Sequence, residues 1–418
     1  MQDILKKIEE LYDELVAIRR DLHMYPELGF EEQRTAGIIE EYLRKLGLEP
    51  QRMTKTGVVA LIEGSQPGPV LMLRADMDAL PIEEENDVTY KSRNPGVMHA
   101  CGHDAHVAML LIAAKILIEK RDQIKGTIKL LFQPNEEVAG AIHMINDGVL
   151  ESPRVDAVMG QHIWSFMESG KIGITSGPVM SGLDVFKIRV IGKGGHTGAP
   201  ENSIDPVLCA ANVIQSVQML QTREISNLNA TVIMFGKISG GTKATIIPDE
   251  IELEGTIRFL YKGGPESEEQ PTERFIRIVR GICATHRCEC EIAIEHENIP
   301  LINNEEMSNL AYQTAQMVFP STRAIEMNRS LASEDFSEFT NRVPGVFIFL
   351  GTANPEAGSD YAHHNNCFNI DEPTMKQGVA MHVLGALNFF KHAETLSFIT
   401  KRETETRLTA DEVHKPAN

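Results

Sequence analysis

The chain has 418 residues, 42% of them hydrophobic, with 59 acidic against 40 basic side chains and a formal charge of −19. At roughly 150 residues per domain this length predicts two or three domains with sizeable cores. The acidic balance excludes nucleic acid and anionic membrane surfaces as partners. No apolar run approaches a membrane span, and Met1-Gln2-Asp3-Ile4-Leu5-Lys6-Lys7 opens an amphipathic helix rather than a signal peptide, so a soluble, cytoplasmic protein is expected. The six cysteines (Cys101, Cys209, Cys283, Cys288, Cys290, Cys367) have no framework spacing, which argues against a disulfide scaffold. Cys288-Glu289-Cys290 lies in an alternating stretch and reads as a pair of strand thiols rather than a second metal site.

In chain order, helical spacing of apolar residues predicts helices over 2–20 and 31–46, the second closed by Gly47, with a turn at His23 to Leu28 between them. β-rich runs follow at 57–62, 70–74, 127–132 and 155–159, alternating with helices after Asp104 and over 139–146. Such alternation is the signature of an open, largely parallel sheet flanked by helices, whose strand ends carry the chemistry. Asp76, Asp78, Glu136, Glu137 and His162 each fall just after a predicted strand. From 182 the texture changes to strand (185–190), helix (206–221), two strands (230–235, 251–258), helix (273–286) and strand (290–294), a compact α+β insert of the ferredoxin-like order. A helix over 305–317, a strand over 346–350 and a helix over 374–390 then resume the first pattern. The expectation is an α/β catalytic domain (1–181 and 299–400) interrupted by a smaller domain (182–298), with a polar, disordered tail from 401.

The stretch Val97 to His106, V-M-H-A-C-G-H-D-A-H, packs a thiol, three imidazoles and a carboxylate into ten residues before a long apolar run. Cys101 and His103, on the loop feeding the following helix, suit one transition-metal ion or adjacent ions, with Gly102 allowing the tight backbone. Asp104 stands where an N-cap or first-turn acid would stand. Glu136 and Glu137 end an apolar strand as adjacent carboxylates, so one can bind metal while the other faces a substrate if the loop turns both inward. Asp76 and Asp78 can orient ligand histidines. His162 ends the next strand, and His363-His364 offers a last ligand late in the chain. Each histidine alone is more often structural; together at successive strand ends they indicate a metal centre.

His23-x-x-Pro26-Glu27-Leu28, Arg74 to Pro81, His99-Ala100-Cys101-Gly102-His103-Asp104, Phe132-Gln133-Pro134-x-Glu136-Glu137, Gly160-x-His162-x-Trp164, Gly192-x-Gly194-Gly195-His196 and Ser333-Glu334-Asp335-Phe336 occur in order. Together they resemble the metal-dependent aminoacylase and carboxypeptidase family, in its branch of hippurate hydrolases, N-acyl-L-amino acid amidohydrolases and auxin-conjugate hydrolases. The resemblance implies that Cys101, His103, Glu137, His162 and His364 hold two divalent ions, zinc or manganese foremost and cobalt or nickel as alternatives. It implies Glu136 as general base and His196 as a residue reaching over from the insert, which acts as lid and dimerisation domain in a homodimer. The expected reaction cleaves N-acyl-L-amino acids to a carboxylic acid and an amino acid. A dipeptidase, an N-carbamoyl amidohydrolase or a non-catalytic metal-binding protein are the alternatives. Arg258 is the candidate partner for the substrate carboxylate. Thr245 stands where relatives carry asparagine, and the chain reads His364-Asn365-Asn366-Cys367-Phe368 where relatives have a proline.

Overall fold

The apolar runs on either side of the predicted insert pair into one eight-stranded sheet. Its order is Gln51–Met53, Gly57–Glu63, Lys125–Gln133, Gln66–Asp76, Ala157–Glu168, Gly345–Ala353, Ile172–Gly173, Ile325–Glu326. The computed structural model describes residues 1–262, 269–319 and 321–401, so the expected tail lies, apart from Lys401, outside the described residues. The four central strands, Lys125–Gln133, Gln66–Asp76, Ala157–Glu168 and Gly345–Ala353, run parallel to one another, flanked by antiparallel pairings to Gly57–Glu63 on one side and Ile172–Gly173 on the other. Strands buried on both faces need continuous apolar sequence, and Val70 to Ala75 meets that need with Arg74 as its one polar member.

Registers align the carboxyl ends where ligands gather in open α/β sheets. Asp76 sits opposite Gln133, and Arg74 opposite Gly160. The predicted strand ending at 159 in fact continues to Glu168, so His162 lies within a strand rather than after one. The cause is tertiary: His162, Ile163 and Trp164 pair with Phe349, Leu350 and Gly351, which carries the ladder onward.

Helix His103–Ile118 follows the metal-type loop and has almost every side chain buried, because it packs on the sheet strand Gln66–Asp76 and between helices Tyr12–Met24 and Met375–His392. Its lack of a polar face is the expected pattern for a helix covered on all sides. The first predicted helix divides at Leu11 into Gln2–Glu10 and Tyr12–Met24, and His23 belongs to the last turn of the second rather than to a loop. Among the described residues, no helix is long and apolar enough to cross a membrane.

Two compact units emerge. One comprises Met1–Gly177, Asn303–Asn328 and the described residues from Glu338; the other comprises Pro178–Ile302 and Arg329–Ser337. The boundaries thus fall a few residues from the expected 181/182 and 298/299, and residues 329–337, expected in the catalytic part, belong to the second unit. Hydrogen bonds explain the reassignment: Ser330 N–H donates to the Val179 carbonyl (2.8 Å) and Ser181 N–H to the Ala332 carbonyl (2.9 Å). Arg258 Nη1 donates to the Leu331 carbonyl (2.8 Å).

The second unit is built on an antiparallel sheet of order Thr231–Ser239, Glu250–Phe259, Gly182–Ile191, Glu289–Asn298. Helices Pro206–Ser216 and Pro271–Thr285 pack on it and on each other. This βαββαβ order is the ferredoxin-like arrangement. Its core is separate from that of the first unit, with Phe186, Phe275, Val213 and Leu253 fully buried.

Candidate metal centre

Two backbone irregularities bring the donor side chains together. Gly102, at φ +87°, caps helix His103–Ile118, and a Cβ there would lie 2.0 Å from Ile163 Cδ1. Only glycine therefore suits the position, and His103 becomes the first residue of the helix instead of a loop residue. After strand Lys125–Gln133, Asn135 takes φ +56°, a left-handed conformation that asparagine tolerates better than most residues. Its N–H donates to Glu32 Oε1 (3.0 Å), whose other oxygen accepts from the Thr56 hydroxyl (2.6 Å), and this anchors the turn that carries Glu136 and Glu137.

Cys101 lies at the meeting point of two donor groups. On one side its Sγ is 3.5 Å from His162 Nε2. On the other, Cys101, Glu137 and His364 each offer a ligand atom within 4.8 Å of the others, and His364 Nε2 is 3.3 Å from Glu137 Oε1. His103, Glu136 and Glu137 form a third such group, with His103 Nε2 3.9 Å from Glu136 Oε2.

Each imidazole presents a defined nitrogen. His162 donates from Nδ1 to the Ile163 carbonyl (2.6 Å), which leaves the Nε2 lone pair facing Cys101. Burial first, then the neighbouring His106 and His363, push its pKa well below the ordinary range and keep it neutral. His103 Nδ1 faces Asp78 Oδ1 at 3.2 Å, and its buried Nε2 makes no hydrogen bond. Asp78 Oδ2 also accepts from the Glu137 N–H (3.1 Å), so one carboxylate orients both His103 and the backbone of Glu137.

Asp76 plays the corresponding part for a histidine not singled out from the sequence. His106 donates from Nδ1 to Asp76 Oδ1 (2.5 Å) and accepts the Ile163 N–H at Nε2 (3.0 Å). Asp76 is also paired with Arg74. Both His106 nitrogens are spent, so it braces the strand under His162 even though it sits in an Asp-His-His-His cluster of ligand type. The signal for this role was present in the i, i+3 spacing of His103 and His106, which puts them on one helix face.

His363 resolves similarly. Its Nε2 accepts the Ser165 N–H (3.1 Å), which places the ring proton on Nδ1, 3.8 Å from Cys101 Sγ. His364, with φ +63° and a half-exposed side chain, turns instead toward Glu137.

Asp104 holds the first-turn position expected of it, but its partners differ from those of Asp76 and Asp78. Its Oδ2 meets Arg19 Nε (2.9 Å) and His23 Nδ1 (2.8 Å) rather than any ligand-type histidine. It therefore locks the helix start to helix Tyr12–Met24. The reason is spacing: one residue on from His103, its side chain leaves the helix about 100° away.

His196, Thr245 and Arg258 belong to the second unit. His196 pairs with Ile246 in a short antiparallel ladder, next to the exposed Thr245, and its Nδ1 accepts the Gly198 N–H (2.9 Å). Arg258 lies on strand Glu250–Phe259, half-buried.

Charge balance within the first unit fits a cation. Burial pushes the Cys101 thiol well above its ordinary pKa, and Glu137, Glu136 and Asp76 add to the effect. Burial disfavours an imidazolium at His103, yet Asp76, Asp78 and Glu137 outweigh it and lift the pKa to about 10. Excess negative charge thus draws a proton onto a buried ring whose Nε2 has no acceptor. Thiolate, imidazole and carboxylate donors together suit divalent transition metals.

The sequence profile of peptidase family M20/M25/M40 matches residues 72–387. The chain is 39% identical over 395 residues to thermostable carboxypeptidase 1 of Saccharolobus solfataricus, covering 93% of this chain and 98% of that protein. It is 43% identical over 308 residues to the N-acyl-L-amino acid amidohydrolase of Geobacillus stearothermophilus, covering 73% and 82%. The solved structure of Bacillus subtilis YXEP protein, described as a dinuclear metal binding peptidase from the M20 family, superposes with a TM-score of 0.79 at 30% identity, covering 92% of this chain and 99% of that one. With the match spanning both sheet and donor loops, the chain belongs to peptidase family M20/M25/M40 and is a metal-dependent hydrolase.

Proposed function

We propose that the protein is a dinuclear-metal amidohydrolase that cleaves N-acyl-L-amino acids to a carboxylic acid and a free amino acid. The observation that carries this reading is the position of Cys101, within reach of His162 on one side and of the Glu137 and His364 pair on the other. Cys101, His103, Glu137, His162 and His364 would hold two divalent ions, zinc or manganese foremost. When bound, such ions supply a water acidified toward neutrality and a polarised carbonyl. Glu136 accepts the proton of the attacking water and returns it to the departing amine. Asp78 fixes His103 and the Glu137 backbone in place, and Asp76, through His106, does the same for the strand bearing His162. His196, exposed on the second unit, stabilises the tetrahedral oxyanion in the neighbouring subunit of a homodimer. Arg258 pairs with the substrate carboxylate, and Thr245 sets a preference different from relatives with asparagine there.

Purified protein assayed on acetyl-, benzoyl- and indole-acetyl amino acids with added zinc, manganese, cobalt or nickel tests the proposal. Acid and amino acid released in equal amounts is the expected result, and elemental analysis should return two ions per chain. Absence of turnover with every metal across the panel would sink it. The 39% identical relative named as a carboxypeptidase favours peptides as a second substrate class; blocked and free dipeptides in the same panel separate the two.

Replacing Asp78 by alanine removes the acceptor for both His103 and the Glu137 N–H. Metal affinity, measured by chelator competition, should fall about 10- to 100-fold with the fold retained. Unchanged affinity would show that Asp78 does not act through the ligands.

Affinity should also fall with pH. In the metal-free protein His103 holds its proton up to about 10, and the raised Cys101 thiol is likewise protonated at neutral pH. Both protons must leave for these groups to bind a cation, so acid opposes binding. Each displaced proton should weaken apparent affinity about tenfold per pH unit on acidification. Competition titrations from about pH 6 to about pH 9 measure the slope, and a flat profile would contradict it.

A further inference from the structure

Four of the chain's six cysteines gather in the second unit, although they come from separate elements: Cys209 on helix Pro206–Ser216, Cys283 on helix Pro271–Thr285, Cys288 just before strand Glu289–Asn298 and Cys290 within it. The Cys209 and Cys283 sulfurs are 3.8 Å apart and buried. Cys290 lies against Cys283, and Cys288 against Cys209. Among the described residues no three of these thiols converge within 4.8 Å, so they form a line of neighbours rather than a cage for an ion. A line of thiols suits exchange.

We propose that Cys209 and Cys283 are an oxidisable dithiol that closes into a disulfide between the two helices by exchange with a small-molecule disulfide such as glutathione disulfide. A disulfide needs sulfurs about 2.05 Å apart, so closing the pair asks for movement of under about 2 Å, within reach of side-chain rotation. Neither sulfur is open to solvent, but Cys290 is only partly buried and lies on the edge strand of the sheet. The Cys290 thiolate attacks the reagent, expels one small thiol and holds the other half as a mixed disulfide. Cys283 displaces that half as a second small thiol, forming a Cys283–Cys290 bond. Cys209 then attacks Cys283, and Cys290 leaves as a thiol. Overall, two protein thiols lose two hydrogens and two electrons, and the reagent disulfide gains them as two thiols. Burial, together with Cys283, pushes the Cys290 thiol up to about 11, so exchange is slow at neutral pH and faster in mild alkali.

The bond would join residues 74 apart in sequence and tie the two helices that cover one face of the sheet. Constraining so long a loop should raise the unfolding temperature of this unit by several degrees.

The test is a non-reducing peptide map of the full-length, metal-loaded protein after exposure to glutathione disulfide at mildly alkaline pH. The expected product links the Cys209 and Cys283 peptides, reopens with dithiothreitol, and is absent from Cys209→Ala and Cys283→Ala. Cys290→Ala should slow its formation by about tenfold or more. Four freely alkylated thiols after denaturation of the oxidised wild type would overturn the proposal, as would a link confined to Cys288 and Cys290. Closure at the wild-type rate in Cys290→Ala would overturn the access route. The wild-type map decides the main question even if a variant fails to fold, and none of these cysteines belongs to the proposed metal site, so failure here leaves the hydrolase reading standing.

Discussion

Replacing Glu136 by glutamine should lower kcat on N-acyl amino acids by about 10²- to 10⁴-fold while the protein keeps its full metal content. That range corresponds to about 3–5 kcal/mol of transition-state stabilisation. In the proposed reaction the two neighbouring carboxylates divide the work by position. Glu137 touches His364 at 3.3 Å, has its N–H held by Asp78, and lies among the Cys101 group. Burial raises its pKa, but His364 and His103 outweigh that and hold it ionised, as a ligand must be. Glu136 stands 3.9 Å from His103 Nε2, with its side chain 10% exposed. Glutamine preserves its size and removes its basicity. Elemental analysis beside single-turnover kinetics separates the outcomes. Loss of metal together with activity would make Glu136 a ligand, and wild-type turnover would remove it from catalysis altogether.

The parts of this site legible in the sequence are those in which local pattern and tertiary demand agree. A long apolar run behind Cys101-Gly102-His103 could only be a buried helix, and buried strands ending in acids could only be the parallel core of an α/β sheet. What stayed illegible depends on partners distant in the chain. Strand Ala157–Glu168 outruns its predicted end because Gly345–Ala353 pairs with its second half. Segment 329–337 crosses to the second unit because the carbonyls and N–H groups around residues 179–181 are there to receive it. Neither fact leaves a local trace. The distinction between His363 and His364 is similar: it rests on the backbone N–H of Ser165 donating to one ring and on a positive φ that swings the other away. The gathering of four thiols in the second unit was hidden for the same reason, since Cys209 and Cys283 are neighbours only after two helices pack.

Asp104→Ala should destabilise the first unit by about 3–5 kcal/mol, because it strands a buried charge. Arg19 is fully buried. Its Nε meets Asp104 Oδ2 at 2.9 Å, Nη1 meets Glu372 Oε1 at 3.1 Å, and Nη2 meets Asn369 Oδ1 at 3.2 Å. Without Asp104 the one carboxylate still paired with the cation, among the described residues, is the half-shared Glu372, which also binds Arg20. His23 retains Glu84 at 3.2 Å but loses its closer partner. An ion pair at this depth adds little net stability over apolar packing, whereas removing one member is costly. The double change Arg19→Met with Asp104→Leu should therefore recover much of what Asp104→Ala loses. The pH dependence has a definite sign. Burial opposes ionisation of Asp104, but Arg19 and His23 hold its pKa far below the carboxylate range, so its contribution is present above about pH 4 and lost on deeper acidification. Burial and the Arg19 cation lower the His23 pKa, but Asp104 and Glu84 more than compensate and raise it, so its share is complete below about pH 6.5 and is lost as pH rises through the raised value. The penalty of Asp104→Ala should thus be greatest between about pH 4 and about pH 6.5 and shrink in alkali. Denaturant unfolding followed by a probe confined to the first unit measures it. A penalty under about 1 kcal/mol across that window would show that Asp104 is not the anchor of Arg19.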